Sequence, residues 1–226
     1  MQLKMDLHVH TNYSDSRSTV HDVVRAAKQR GLDGLAITDH ETTAGAIAAA
    51  KEDTGLIVIP GIEVKTREGH VLGLGVDDHP HTSLHKSSIF DVAQAIWRMG
   101  GIVVIPHPYA PFFSTKREVI ERLIPDAIEV LNALSPFVRY GRSRSAKLAD
   151  RLGVAQVAGS DSHASQTVGD AYTLIDAAST TVADILQAIR EGKTHVCGSA
   201  SAWKYRTHFP HFLSIQALSA RLHNDR

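Results

Sequence analysis

Met5-Asp6-Leu7-His8-Val9-His10-Thr11 is the stretch from which the rest of the chain can be read. An extended strand sends successive side chains to opposite faces, so His8 and His10 project together while Leu7 and Val9 turn into packing. Two imidazoles on one face make a metal-binding edge, although an isolated His-x-His is more often a strand with partly buried histidines. Further His, Asp and Glu residues recur down the chain directly after short apolar runs, and this recurrence favours the metal reading.

Those apolar runs alternate with segments of helical period. Leu35 to Thr38 leads into Asp39-His40, Leu56 to Ile59 into Pro60-Gly61-Ile62-Glu63, and His70 to Leu74 pairs back as a hairpin. Ile102 to Ile105 runs into Pro106-His107-Pro108, Ala127 to Leu131 into Asn132, and Val154 to Ala158 into Gly159-Ser160-Asp161-Ser162-His163. Between them, Val20, Val23, Val24 and Ala27 follow Ser18 at helical spacing, and Ile89, Val92, Ile96 and Trp97 do the same behind Ser88. Further helices are expected over Arg142 to Leu152 and Val182 to Glu191, with a strand over Tyr172 to Ile175 before the latter. Strand-then-helix units repeated in this way predict an α/β protein with a parallel, barrel-like sheet.

No internal repeat or composition shift marks a second domain, so one domain is expected over 1–200. The tail, 201–226, carries Phe212, Ile215, Leu218 and Leu222 at amphipathic spacing, as in a helix that packs on the barrel or makes a homodimer contact. The 24 Lys and Arg residues balance the 24 Asp and Glu, which removes any broad electrostatic reason to bind long nucleic acid or an anionic membrane. The single cysteine, Cys197, excludes an internal disulfide, and no apolar run approaches the roughly 20 residues that cross a bilayer. With the first strand starting almost at Met1 and no room for a signal peptide before it, the expected location is cytoplasmic.

In α/β barrels functional residues sit where strands end, and such places here hold His8, His10, Asp39, His40, Glu63, His107, Asp161 and His163, with His70 on the adjoining hairpin and Asp15 in the first loop. Nitrogen and carboxylate donors without thiolate suit zinc, manganese or iron, and they exceed what one ion needs. Two or three divalent ions are therefore expected. Three ions would outweigh the charge of Asp15, Glu63 and Asp161 and leave a positive pocket that accepts a phosphate dianion. Coordination also lowers the pKa of water from 15.7 toward roughly 7, which would let a metal-bridging hydroxide attack phosphorus.

Taken in order, Asp-Leu-His-Val-His-Thr at the start, Ile-Thr-Asp-His ending at His40, Gly-Ile-Glu at Glu63, Gly-His-Val-Leu-Gly at His70, His-Pro at His107 and Gly-Ser-Asp-Ser-His ending at His163 resemble the successive motifs of the PHP family, the polymerase and histidinol phosphatase superfamily of metal-dependent phosphoesterases. The resemblance runs from about residue 3 to 200. It implies a distorted (β/α)7 barrel in which His8, His10, Glu63 and Asp161 hold one metal, Asp15, His40 and His163 a second, and Glu63, His70 and His107 a third, with Glu63 bridging. Asp6 and Asp39 match motif positions and are expected to orient ligand imidazoles from behind. The chain departs from the family at Glu41, where many members have Asp, and in the loop with His79, His81 and His85, which matches no motif.

The expected activity is hydrolysis of a small phosphorylated metabolite or nucleotide, with no catalytic group singled out beyond the metal ligands. Nucleic-acid ends are the alternative substrate, since the same metals cleave diesters. Asn132 and Arg142 are the substrate-binding candidates. An amidohydrolase-type C–N hydrolase is the reading from another class, and it is disfavoured because its bridging modified lysine has its place taken here by Glu63.

Overall fold

The structure, a computed structural model, describes residues 1–52, 54–76, 86–110 and 114–206 of the 226. Nine strands form one sheet: β1 (Gln2–Val9), β2 (Gly34–Ile37), β3 (Ile57–Lys65), β4 (His70–Leu74), β5 (Ile102–Ile105), β6 (Ala127–Asn132), β7 (Ala155–Gly159), β8 (Ala171–Asp176) and β9 (Thr194–Gly198). Their order is β7-β6-β5-β4-β3-β2-β1-β8-β9. The helices are α1 (Val20–Gln29), α2 (Ala44–Ala50), α3 (Ile89–Arg98), α4 (Arg117–Leu123), α5 (Val138–Leu152), α6 (Val182–Arg190) and the short α7 (Trp203–Arg206).

Strands β1 to β7 curl into a nearly closed barrel. The closure occurs only at the upper rim, where Asp161 N donates to His8 O (2.8 Å) and His10 N to Ser162 O (3.0 Å), beside a parallel bridge between Val9 and Ser162. Lower down, the first half of β1 pairs instead with antiparallel β8, while Thr173 Oγ1 on β8 bonds the backbone of Ala158 on β7. Strand β4 is antiparallel to both β3 and β5, and this is the distortion of an otherwise parallel (β/α)7 barrel.

A strand covered on both faces needs apolar residues on both. Met5, Leu7, Ala36, Ile59, Leu72, Leu74, Val104, Ala127 and Val157 fill the interior, with Ile185 and Ile189 of α6 packed into the same cluster. Arg190 of α6 bonds the carbonyls of Gly100 and Gly101, just before β5, so this helix plugs the lower end. Outside, Val9, Leu35 and Ile37 pack on α1 and α2, and Ile62, Val64, Val103 and Ile128 on α3 to α5.

Period two then places the site. Inward rows that begin apolar end polar at the upper rim: Ile59 and Gly61 lead to Glu63, Leu74 and Leu72 to His70, and Ala127 to Glu129. Strand β1 needs a correction for its two histidines to join them. Simple alternation puts Leu7 and Val9 on one face, yet Leu7 lies in the interior cluster and Val9 in the outer one. Between Asp6 and Val9 the register with β2 slips by one residue, and this bulge turns His8 and His10 inward. Asp6 holds the bulge by accepting His8 N (3.3 Å), Ser160 N (2.9 Å) and Gly169 N (2.8 Å).

Two other expectations are revised. Strand β3 continues through Pro60 to Lys65 because the missing N–H falls where pairing switches from parallel β2 to antiparallel β4. Helix α5 starts at Val138, four residues before Arg142, since Val138 packs on the Leu131 and Ala158 cluster. The tail beyond Arg206, with Phe212, Ile215, Leu218 and Leu222, lies outside the described residues, as do His79, His81 and His85. Among the described residues no helix is long and apolar enough to cross a membrane.

On β7 the inward row ends at Gly159, where an added Cβ would overlap His8 Cβ and crowd Glu129 Oε1. Gly159→Ala is expected to destabilise the fold by about 1–3 kcal/mol through overpacking, read by urea denaturation. An unchanged midpoint would contradict this close approach.

Candidate metal centre

All nine residues expected to bind metal meet at the upper rim. Glu63, 1% exposed, lies at their middle. Its Oε2 faces His8 Nε2 (3.3 Å), His10 Nε2 (3.2 Å) and His40 Nδ1 (3.2 Å), and its Oε1 faces His70 Nδ1 (2.7 Å) and His107 Nε2 (3.2 Å). Asp161 Oδ1 approaches His8 Nε2 (3.4 Å) and His10 Nε2 (3.3 Å). On the outer side Asp15 Oδ1 lies 3.1 Å from His163 Nε2 and its Oδ2 3.6 Å from His40 Nε2.

The donor atoms fit divalent ions. His8 Nε2 and His10 Nε2 are 3.1 Å apart, and each is 3.2–3.4 Å from Glu63 Oε2 and Asp161 Oδ1. Four ligands at about 2.0–2.1 Å from a tetrahedral ion stand roughly 3.3–3.4 Å from one another. Two neutral imidazole nitrogens aimed at each other need a cation or a proton between them. Among the described residues, ligand atoms lie within 4.8 Å of one another in four groups, His8 with His10 and Glu63, His8 with His107 and Asp161, Glu63 with His70 and His107, and His10 with Asp15, His40 and His163, so that Glu63 and Asp161 fall in separate groups around His8.

His107 and Asp161 have left-handed backbones, with φ of 31° and 53°. Such conformations cost on the order of 1–3 kcal/mol in non-glycine residues and concentrate at functional sites. Here they are held by hydrogen bonds from His107 N to Glu129 Oε2 (2.8 Å) and from Asp161 N to His8 O.

Comparison with known proteins agrees with this geometry. A family model described as PHP-associated matches residues 140–194. The uncharacterized protein MJ1587 of Methanocaldococcus jannaschii is 32% identical over 144 residues, covering 58% of this chain and 82% of that protein. A two-domain protein from Bacteroides vulgatus, containing a predicted PHP-like metal-dependent phosphoesterase, superposes with a TM-score of 0.73 at 18% identity, over 88% of this chain and 65% of that one. The chain belongs to the PHP superfamily. Over a shorter stretch of 81 residues it is 46% identical to the phosphoribosyl 1,2-cyclic phosphate 1,2-diphosphodiesterase of Eggerthella lenta, covering 32% of this chain and only 31% of that enzyme.

The supports behind this PHP centre differ from those expected. The hydrogen bonds of Asp6 and Asp39 go to backbone amides and hydroxyls. Asp6 holds three backbone amides at the bulge, and Asp39 accepts Thr11 N (2.7 Å), Thr11 Oγ1 (2.6 Å) and Ser14 Oγ (2.6 Å), shaping the loop that carries Asp15. Asn132 lines the same cleft as Arg142, and its amide is engaged within the protein. Its Nδ2 donates to Glu129 Oε2 (2.9 Å) and Asp161 Oδ2 (3.1 Å), while its Oδ1 accepts Leu134 N and Ser135 N, which uses the amide's full capacity. Arg142 is exposed on α5 and lines a cleft of about 250 Å³ with His107, Tyr109 and Ser135.

The buried residue that motif reading missed is Glu129, whose Oε1 lies 3.0 Å from His8 Nδ1. The signal was a carboxylate inside the apolar strand Ala127-Ile128-Glu129-Val130-Leu131, two residues beyond an inward alanine. An acid is seldom buried unless something pairs with it.

Charge in this PHP site is shared between imidazoles and carboxylates. Burial opposes protonation of His8, His10 and His107, but the carboxylates outweigh it: Asp161, Glu129 and Glu63 raise His8 well above 6.5, Asp161 and Glu63 bring His10 to about 9, and Glu63 raises His107. His40 goes the other way, burial lowering it to about 4. Glu63, Asp161 and Asp15 stay below the ordinary carboxylate range despite burial, held there by the imidazoles.

Stability of the metal-free protein must follow these shifts. The contribution of His8, His10 and His107 is complete below pH 6.5 and is lost as pH rises through their raised values, about 9 for His10. That of the carboxylates is complete above about 4.5 and is lost in acid. The contribution of neutral His40 is complete above pH 6.5 and is lost as pH falls toward about 4. Melting temperatures of chelated protein should therefore peak near pH 6.5, whereas metal-loaded protein should gain as pH rises, because bound ions displace imidazole protons. A flat profile for the chelated form would contradict this electrostatic account.

Proposed function

We propose that this PHP protein is a metal-dependent phosphoesterase acting on a small phosphorylated metabolite or nucleotide. The observation that carries the reading is the division of Glu63 between two sets of imidazoles, one at each carboxylate oxygen. In this reading His8, His10, Glu63 and Asp161 hold a first ion, Asp15, His40 and His163 a second, and Glu63, His70 and His107 a third. Zinc, manganese and iron all suit these donors. When bound, the ions supply Lewis acidity toward phosphoryl oxygens and lower the pKa of water.

The chain's own groups do the rest. With their donor atoms committed to holding ions, the nine residues fix positions rather than relay protons. The buried walls exclude bulk water from everything but the open side, where Asp15, His40 and the α5 cleft lie. Arg142, with no hydrogen bond or ion pair among the described residues, is placed to meet an anionic part of the substrate away from the scissile phosphate. Among the described residues no lysine is buried, which supports ester over C–N hydrolysis, since the amidohydrolase arrangement needs a buried bridging lysine.

A panel of phosphomonoesters, cyclic phosphates, nucleotides and a labelled oligonucleotide, assayed with manganese, zinc and iron, tests the proposal. Hydrolysis of at least one small ester is expected, and inactivity across the panel would overturn it; preference for the oligonucleotide, lost in His8→Ala, would move the reading to trimming of nucleic-acid ends. Glu63→Gln is expected to abolish turnover while the protein still folds, because one lost negative charge uncouples two ion positions. Full activity in that variant would refute the bridging role.

A further inference from the structure

We propose that Glu129 is a positioning residue that fixes the ring tautomer of His8 and so determines whether the first ion position can be filled. The inference rests on the reading of His8 as a metal ligand.

Every neighbour of the Glu129 carboxylate is a donor. Oε2 accepts the backbone N–H of His107 and the Nδ2 of Asn132. The orientation of Asn132 is itself settled, because its Oδ1 accepts from Leu134 N and Ser135 N. Oε1 faces His8 Nδ1 at 3.0 Å. A carboxylate only accepts, so Nδ1 of His8 carries a proton, and once an ion displaces the proton on Nε2 that lone pair points toward His10, Glu63 and Asp161.

The pair packs directly on β7, where a Cβ added at Gly159 would overlap His8 Cβ and meet Glu129 Oε1 at 2.9 Å. Through its two oxygens Glu129 joins a ligand of the first proposed ion to the left-handed backbone of a ligand of the third, and through Asn132 it reaches Asp161. Ligand imidazoles held from behind by a carboxylate are a general means of setting tautomer and orientation.

An isosteric change separates this role from packing. In Glu129→Gln the amide has one accepting and one donating side. Two donors, His107 N–H and Asn132 Nδ2, claim the oxygen, so the NH₂ turns to His8 Nδ1, and the imidazole proton moves to Nε2, where it points into the donor cluster. Shape and volume stay the same while the ligand is lost.

The test combines chelator competition for zinc with long-range ¹H–¹⁵N correlation of histidine-labelled, zinc-loaded protein, His8 being assigned by its loss in His8→Gln. In the wild type, His8 should carry its proton on Nδ1. In Glu129→Gln, the metal-free protein should still unfold cooperatively while zinc affinity falls about 10–100-fold. A wild-type His8 with a bare Nδ1, or unchanged affinity in the variant, would overturn the proposal while leaving the phosphoesterase reading in place. If the variant does not fold, the wild-type tautomer alone decides. A wild-type protein that binds no zinc would overturn both.

Discussion

A buried carboxylate surrounded by imidazoles is the constraint from which the rest of this structure follows. Glu63 is almost fully enclosed, with five ring nitrogens within 3.3 Å of its two oxygens. An isolated ionised carboxylate in such a place would cost many kcal/mol, so the charge persists only because protonated imidazoles stand among its partners. In the metal-free protein those partners are imidazolium protons, which is why His8, His10 and His107 are raised while Glu63 is lowered. Divalent ions would take over the same task with more charge and fixed direction. The site is thus arranged for cations whether or not they are bound.

The barrel supplies what this arrangement requires: rigid positions from remote parts of the sequence. Inward rows on β3, β4 and β6 change from apolar to polar at one height, so the same alternation that fills the interior delivers Glu63, His70 and Glu129 to the rim. Three local departures from ideal geometry complete it. A bulge re-aims His8 and His10, a glycine on β7 makes room behind them, and left-handed residues at His107 and Asp161 turn two strand exits toward the centre. Each departure costs stability locally and is held by named hydrogen bonds, Asp6 at the bulge and Glu129 at His107.

Much of this was legible before any coordinates. The strand-end positions of His8, His10, His40, Glu63, His107 and Asp161 predicted a common rim, because a parallel barrel sends every such end the same way. What escaped the sequence was the parity of β1, since no residue in Asp6 to Val9 announces a bulge and simple alternation gave Leu7 and Val9 one face. Glu129 escaped because it belongs to no motif, and the four hydrogen bonds of the Asn132 amide were not legible because they depend on carboxylate and backbone N–H positions that only the fold fixes. Asp6 and Asp39 were expected to orient ligand imidazoles, and the hydrogen bonds they make are to backbone amides and hydroxyls.

The most direct measurement of the central claim is anomalous diffraction from zinc-loaded crystals. The account predicts separate peaks on the two sides of Glu63, one within about 2.0–2.2 Å of His8 Nε2 and His10 Nε2 and another equally close to His70 and His107. Peaks confined to surface histidines, with Glu63 left paired to imidazoles alone, would contradict it.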